Sequence, residues 1–403
     1  MTLLNFVQTN ARWLGAGALL TFLSSFGQTF FISIFAGEIR AEYGLSHGDW
    51  GSIYALGTMS SAIVMIWAGT LADRFRARHL GAAILLGLAL ACLALVINPS
   101  VIFLPIIIFF LRLFGQGMAH HIAVVSMSRW FVATRGRALA IVSLGFSLGE
   151  IILPIAFVAL MAVIDWRWLW VLSAGITMLS VPLFLNMLKS ERLPGSEPDA
   201  DRRSGMNGRH WTRAEVLRNP VFWCVVPAIS GISAFGTALL FHQVHYSQVK
   251  GISHLTFVSM VPIYTLVAIG AMIVYGIALD KIGTVRLIRL YQVPLIVCFL
   301  LFGLGQGPLV VALGFAAMGI SAGGNSTLIN AFWAETYGTA NIGGIKAIAS
   351  AAMVLGSAIG PGLTGFLIDS GMGLDQQYVL VAGYFLCTTV LLHIGAHHVI
   401  RST

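Results

Sequence analysis

The chain has 403 residues, of which 58% are hydrophobic and 9% charged, with a formal net charge of +8. An ordinary soluble domain carries about 25% charged residues, so this composition excludes a typical cytosolic enzyme, a disordered chain and a disulfide scaffold. An all-α polytopic membrane protein remains, because a β-barrel would alternate apolar and polar residues and the apolar runs here are continuous.

A spanning helix needs about 20 mostly apolar residues. Twelve segments of this kind follow in order. Spans 1–6 are expected near 13–36, 48–72, 80–98, 101–127, 136–163 and 167–188. Spans 7–12 are expected near 221–247, 256–279, 287–305, 309–332, 345–369 and 377–396. The first run is too long for a signal-peptide core and reads as a retained helix. Residues 1–188 thus form one six-helix bundle and 219–403 a second. The charged, Pro- and Gly-containing stretch 189–218 is the linker, with a short amphipathic helix around 211–218. The four cysteines, Cys92, Cys224, Cys298 and Cys387, all fall in spans without metal-type spacing, so neither a zinc site nor a bound cofactor is expected.

Charge placement sets the topology. With the N-terminus in the cytoplasm, 19 of the 23 Lys and Arg residues lie on the cytoplasmic side. Arg40, Arg167 and Lys250 lie opposite, and Arg112 lies inside a span. This is the positive-inside bias, and it returns the C-terminus to the cytoplasm. Anionic lipid, rather than nucleic acid, is the expected neighbour of the basic loops.

The two bundles repeat one another at an offset of 207 residues. Gly44-Leu-Ser46-His47 matches Gly251-Ile-Ser253-His254, and Gly69, Asp73, Gly117, Gly149 and Pro154 match Gly276, Asp280, Gly324, Gly356 and Pro361. Related halves of this kind can rock about a midplane site and give alternating access.

The loop after span 2 reads Gly69-Thr-Leu-Ala-Asp73-Arg74-Phe-Arg76-Ala-Arg78, and its second copy Gly276-Ile-Ala-Leu-Asp280-Lys281-Ile-Gly283. It resembles the G-x-L-a-D-r-x-G-r-r signature of the major facilitator superfamily, with Arg76 in place of the second glycine. The resemblance covers essentially the whole chain. It implies that these loops latch the cytoplasmic ends of the halves, with Arg129 or Arg137 completing the latch. Arg129-Trp-Phe, Arg135-Gly-Arg137, Trp333-Ala-Glu335 and Gly360-Pro361 look like the monocarboxylate and oxalate/formate branch. Span 8 lacks the basic residue that this branch often places there.

A charge at mid-membrane costs several kcal/mol, so Arg112 in span 4 and Glu150 in span 5 stand out. They either pair with each other or divide the work. In the second case Arg112 holds an anionic group with its planar fork and Glu150 carries a proton. Gln116 and His120 follow Arg112 at four-residue steps and are candidates to line the same cavity. His242, His245 and Tyr246 in span 7 form a polar cluster suited to a gate, to substrate contact or to packing, with a metal site a weaker option. The resemblance puts spans 1, 4, 7 and 10 around the cavity, which adds Gln28, Asn325, Asn330 and Trp333. No zinc-protease, hydrolase or Walker motif is present, so the chain reads as no enzyme and no ATP-driven pump.

Together these features predict a monomeric secondary transporter of a small, carboxylate-like organic anion, proton-coupled and most naturally placed in a bacterial inner membrane. The alternative is a proton-coupled efflux antiporter for amphipathic compounds.

Overall fold

The computed structural model describes residues 3–131, 134–190 and 204–402. Its ordered elements are helices, and no strand occurs among the described residues. Among the described residues ten helices are long and apolar enough to cross a membrane. Span 1 and span 9 complete the expected twelve in irregular form.

Span 1 was expected near 13–36 but is longer and broken. Helix Leu3–Leu23 passes through a tight turn, Ser24–Gly27, to Thr29–Ile32 and then to Ala36–Tyr43. The two parts of this span meet at 47°. Gln28, with extended backbone (φ −87°, ψ 153°), sits at the bend. Span 9 was expected near 287–305, but its regular helix is only Val293–Leu304, 12 residues. The other spans are His47–Ala68, Ala77–Val96, Val101–Trp130, Gly136–Met161, Trp166–Met187, Pro220–Phe241, His254–Ile282, Pro308–Tyr337, Ile342–Asp369 and Leu374–Ile400.

The chain divides into two compact units, Met1–Pro198 and Asp199–Thr403. Within the first, span 1 packs on span 5, span 2 on span 4 and span 3 on span 6; the second repeats this as 7 on 11, 8 on 10 and 9 on 12. The sequence repeat has matching local geometry. Gly44 and Gly251 both take a left-handed turn, at φ 64° and 62°. Ser46 and Ser253 then cap the next helices, accepting from the N–H groups of Asp49 and Thr256 at 3.0 Å. A side-chain cap of this kind contributes about 1 kcal/mol. One departure is equally local. Gly283 needs its glycine at φ 84°, whereas Arg76 adopts φ −64°, a conformation open to any residue.

Small residues let the helices meet backbone to backbone. A Cβ on Gly115 of span 4 would lie 2.6 Å from the Cα of Gly27. On Gly145 of span 5 it would lie 2.1 Å from the carbonyl oxygen of Ala18, and on Gly360 of span 11 2.2 Å from that of Ala234.

Of the linker, residues 191–203 lie outside the described residues. Residues 204–218 fold onto the second unit as a strap. Met206 and Trp211 are buried in that unit's core. The Trp211 N–H donates to the Tyr337 carbonyl at 3.0 Å. Helix Arg213–Arg218 starts with a capping box in which the Thr212 N–H and hydroxyl donate to Glu215 at 2.7 and 2.8 Å. These bonds hold the Glu215 carboxyl below its usual pKa.

Two predictions follow from this packing. Gly115→Val has no room at a backbone crossing and is expected to cost at least the 1–3 kcal/mol or so of overpacking, read as a lower unfolding temperature in detergent. The Glu215 cap contributes fully above the ordinary carboxylate pKa of about 4.3 and is lost as pH falls through its depressed folded value. Protection of the amides in 212–218, taken relative to their intrinsic exchange at each pH, is therefore expected to fall only on acidification below that range, and Thr212→Ala should lower it already at neutral pH.

Candidate functional site

The bend in span 1 generates the polar chemistry of the first unit. In a continuous helix the Phe31 N–H would bond to Gly27; here it bonds to Gln28 at 3.2 Å. The Gly27 carbonyl is left facing span 4, where the helix widens into a π segment, Arg112–Ala119. Single π segments of this sort often mark functional positions. Arg112 opens the segment and is 1% exposed. Its Nη1 donates to Gly27 O at 3.1 Å and to Thr29 Oγ1 at 3.2 Å. The guanidinium lies over the Tyr54 ring at 5.4 Å, and Tyr54 in turn shares a 2.5 Å hydrogen bond with Thr29. The Arg112 Nε has no hydrogen-bond partner among the described residues. Arg112 thus stitches the break in span 1 to spans 2 and 4.

Glu150 is 7% exposed in span 5. Next to it, a Cβ on Gly149 would lie 2.1 Å from the Ser25 hydroxyl of span 1. The hydrogen bonds and ring contact of Arg112 all go to spans 1 and 2. Gln28 is buried at the bend. Gln116 is half-buried. His120 is half-buried against Phe146, with its Nδ1 unpartnered. His121, on another face, meets the Gly69 carbonyl at 3.2 Å.

The latch residues split in the same way. Arg129 Nη1 donates to the Ala72 carbonyl at 2.9 Å, closing the turn that carries the signature loop. Asp73 belongs to helical turn Leu71–Arg74, but its side chain is outside the described set. Arg74 and Arg137 are exposed. In the second unit Asp280 and Lys281 are exposed, and Gly276 has open space at its Cβ position.

The span 7 cluster does not share one helical face, because the helix breaks at His242 (φ −94°, ψ 19°). His242 is buried and meets the Pro361 carbonyl of span 11 at 3.0 Å. Tyr246 is buried among Phe257, Phe302 and Tyr378. His245 is half-buried. No group of three metal-binding side chains forms among the described residues.

Asn325, Asn330 and Trp333, in contrast, come together. With Ile229 of span 7 and Lys346, Ala349 and Met353 of span 11 they line a cavity of about 310 Å³ inside the second unit. Trp333 is stacked on Tyr337 at 6.0 Å, and Tyr337 meets Trp211 of the strap at 5.6 Å. Asn325 accepts from the Tyr291 hydroxyl at 3.5 Å, and Asn330 turns back to the Ser326 carbonyl at 2.8 Å. Lys346 is half-buried and has no hydrogen-bond or ion-pair partner among the described residues.

In the sequence Lys346 stands at the cytoplasmic end of span 11 and is counted among the cytoplasmic charges. Its helix begins at Ile342, earlier than expected, so Lys346 is its fifth residue and lines the cavity. An unpaired ammonium beside two amides and an indole is chemistry for an anion.

Comparison with known proteins gives three findings. The sequence profile described as Major Facilitator Superfamily matches residues 17–361. Among curated proteins the chain is similar to YhjX, an uncharacterized MFS-type transporter of Escherichia coli (strain K12), at 24% identity over 85% of this chain and 84% of that protein. It is also similar to the oxalate:formate antiporter of Oxalobacter formigenes, at 26% identity over 70% of this chain and 68% of that one. Among solved structures, the nucleoside transporter NupG aligns over 100% of both chains at 13% identity, with a TM-score of 0.71. A bacterial homolog of the human lysosomal transporter Spinster, inward-facing and unoccupied, aligns over 98% of this chain and 96% of its own, at 16% identity and a TM-score of 0.69.

The stitch predicts a stability effect. Arg112→Ala leaves the Gly27 carbonyl buried without its donor, which should cost about 1–3 kcal/mol and lower the unfolding temperature of the purified protein. Arg112→Lys keeps one donor and should recover part of the loss.

Proposed function

The chain belongs to the Major Facilitator Superfamily, and on that premise we propose that it is a secondary transporter of a small organic anion, coupled to a proton. The observation that carries this reading is Lys346, an unpartnered cation facing a 310 Å³ cavity beside Asn325, Asn330 and Trp333. An ammonium is a point charge with three donors and accepts a carboxylate from several directions. The amides add hydrogen bonds of fixed direction, and Trp333, Ile229 and Met353 give an apolar wall for the body of the solute. The similarity to an oxalate:formate antiporter supports an anionic cargo.

Arg112 holds the protein rather than the cargo in this reading, because its Nη1 is already committed to Gly27 and Thr29. Glu150 is the proton carrier in this reading, as a carboxyl buried within a span, where ionisable side chains commonly serve as proton relays. Two six-span halves related by a repeat support alternating access as the mode of transport. The excess of Lys and Arg on one side supports cytoplasmic termini, in a cell membrane of bacterial type.

The test is a thermal-shift screen of small mono- and dicarboxylates on purified protein, followed by proteoliposome uptake of the best stabiliser. Lys346→Gln should lose both the stabilisation and the uptake. Glu150→Gln should keep solute exchange at equal pH but lose accumulation driven by an imposed pH gradient. Stabilisation by the same anion in wild type and Lys346→Gln alike would remove the cavity from the proposal. Gradient-driven accumulation by Glu150→Gln would remove the proton role.

A further inference from the structure

Two of the three basic residues on the non-cytoplasmic side, Arg167 and Lys250, do the same work in the two units. Arg167 begins span 6. Its guanidinium donates to the carbonyls of Leu95, at 3.3 Å, and of Val96, the last residues of span 3. It also pairs with Glu42, at the end of span 1, and lies 4.8 Å over the Trp166 ring. The Trp166 N–H donates to the same Glu42 carboxylate at 3.1 Å.

In the second unit Lys250 follows helix Gln243–Val249, the continuation of span 7. Its Nζ donates to the carbonyls of Gly303 and Gly305 at 2.9 and 3.1 Å, where span 9 ends. It pairs with Asp375, at the start of span 12, at 2.6 Å, and lies 5.8 Å over the Tyr246 ring. The Lys250 side chain is 1% exposed.

Spans 1, 3 and 6 correspond to spans 7, 9 and 12. Glu42 and Lys250 close spans 1 and 7, with Lys250 one residue further on than the 207-residue repeat would put Glu42, and Arg167 and Asp375 open spans 6 and 12. The anion of one unit therefore stands at the helix end where the other unit has its cation. We infer that these are a single clamp built twice with its charges exchanged, and that its constant element is the carbonyl end of the third helix of each half.

The physics supports this division of roles. The last carbonyls of a helix lack intrahelical donors and carry the negative end of its dipole. A cation satisfies both, and it serves equally from the first helix or from the sixth. The carboxylate on the remaining helix neutralises the cation and ties in the third element. Each clamp thus joins three helix ends, so that spans 1, 3 and 6 move together at this end, as do spans 7, 9 and 12. It also accounts for why Arg167 and Lys250 depart from the positive-inside bias: each is neutralised where it stands.

The test transplants one arrangement into the other half of the full-length protein. Glu42→Lys, Arg167→Asp and the Glu42→Lys/Arg167→Asp double variant are compared with wild type. The readouts are thermal unfolding in detergent and amide exchange over 93–98. Each single reversal should lower the unfolding temperature by several degrees and speed exchange at the end of span 3. The double variant should recover most of both, because the cation now arrives from span 1. If the double variant is no better than the sum of the singles, or if the singles match wild type, the inference is overturned.

Should the single reversals fail to fold, a milder pair in the second half decides. Asp375→Asn keeps the cation on the carbonyls and should be the lesser change, whereas Lys250→Met frees them and should be the greater. The opposite order overturns the inference.

Discussion

In a hydrocarbon interior every backbone donor and acceptor must find a partner within the protein. This constraint organises the polar residues of the chain. The bend at Gln28 exposes the Gly27 carbonyl, and Arg112 takes it. The break at His242 brings an imidazole to the Pro361 carbonyl. His121 meets the Gly69 carbonyl, Arg129 that of Ala72, Arg167 those of Leu95 and Val96, and Lys250 those of Gly303 and Gly305. Arg112 and His242, which look in the sequence like ligands for a solute, are thus engaged with backbone carbonyls. Lys346 has no hydrogen-bond or ion-pair partner among the described residues.

Hydropathy made the helices legible because burial in lipid demands long apolar runs, and it placed most ends within a few residues. It could not show the bend in span 1. Small and polar residues, Ser24-Ser-Phe-Gly-Gln28-Thr29, mark the turn, but hydropathy averaged over a span passes over so short a stretch between apolar runs. The π segment after Arg112 was hidden because it alters hydrogen bonding without altering hydrophobicity. The periodicity that aligned Arg112, Gln116 and His120 assumed a regular helix, and the widened segment Arg112–Ala119 does not provide one. For the site, Asn325, Asn330 and Trp333 were legible together because the resemblance puts span 10 on the cavity, and helix Pro308–Tyr337 carries all three to one lining. Lys346 was not, because a cation at the cytoplasmic end of a span reads as a topology charge.

The two halves keep the frame of the repeat while using it differently. Turn glycines, serine caps and the pairing of helices are shared. The position related to Arg112 is Gly319, where a Cβ would lie 2.6 Å from the Tyr264 carbonyl of span 8. One half therefore fills this place with a guanidinium that mends a broken neighbour, and the other empties it so that two helices can touch. The first half spends its intramembrane cation on architecture, and the second keeps an open cavity.

Pro154 and Pro361 occupy equivalent positions inside spans 5 and 11. A proline inside a helix donates nothing to the carbonyl four residues earlier and weakens the helix there. Those residues are Glu150 and Ser357. The buried carboxyl thus rides on a turn that has lost a rung, where a helix bends at the least cost. Ser357 stands on the matching turn of the second half, so each half carries one weakened rung at the same place in its fifth helix.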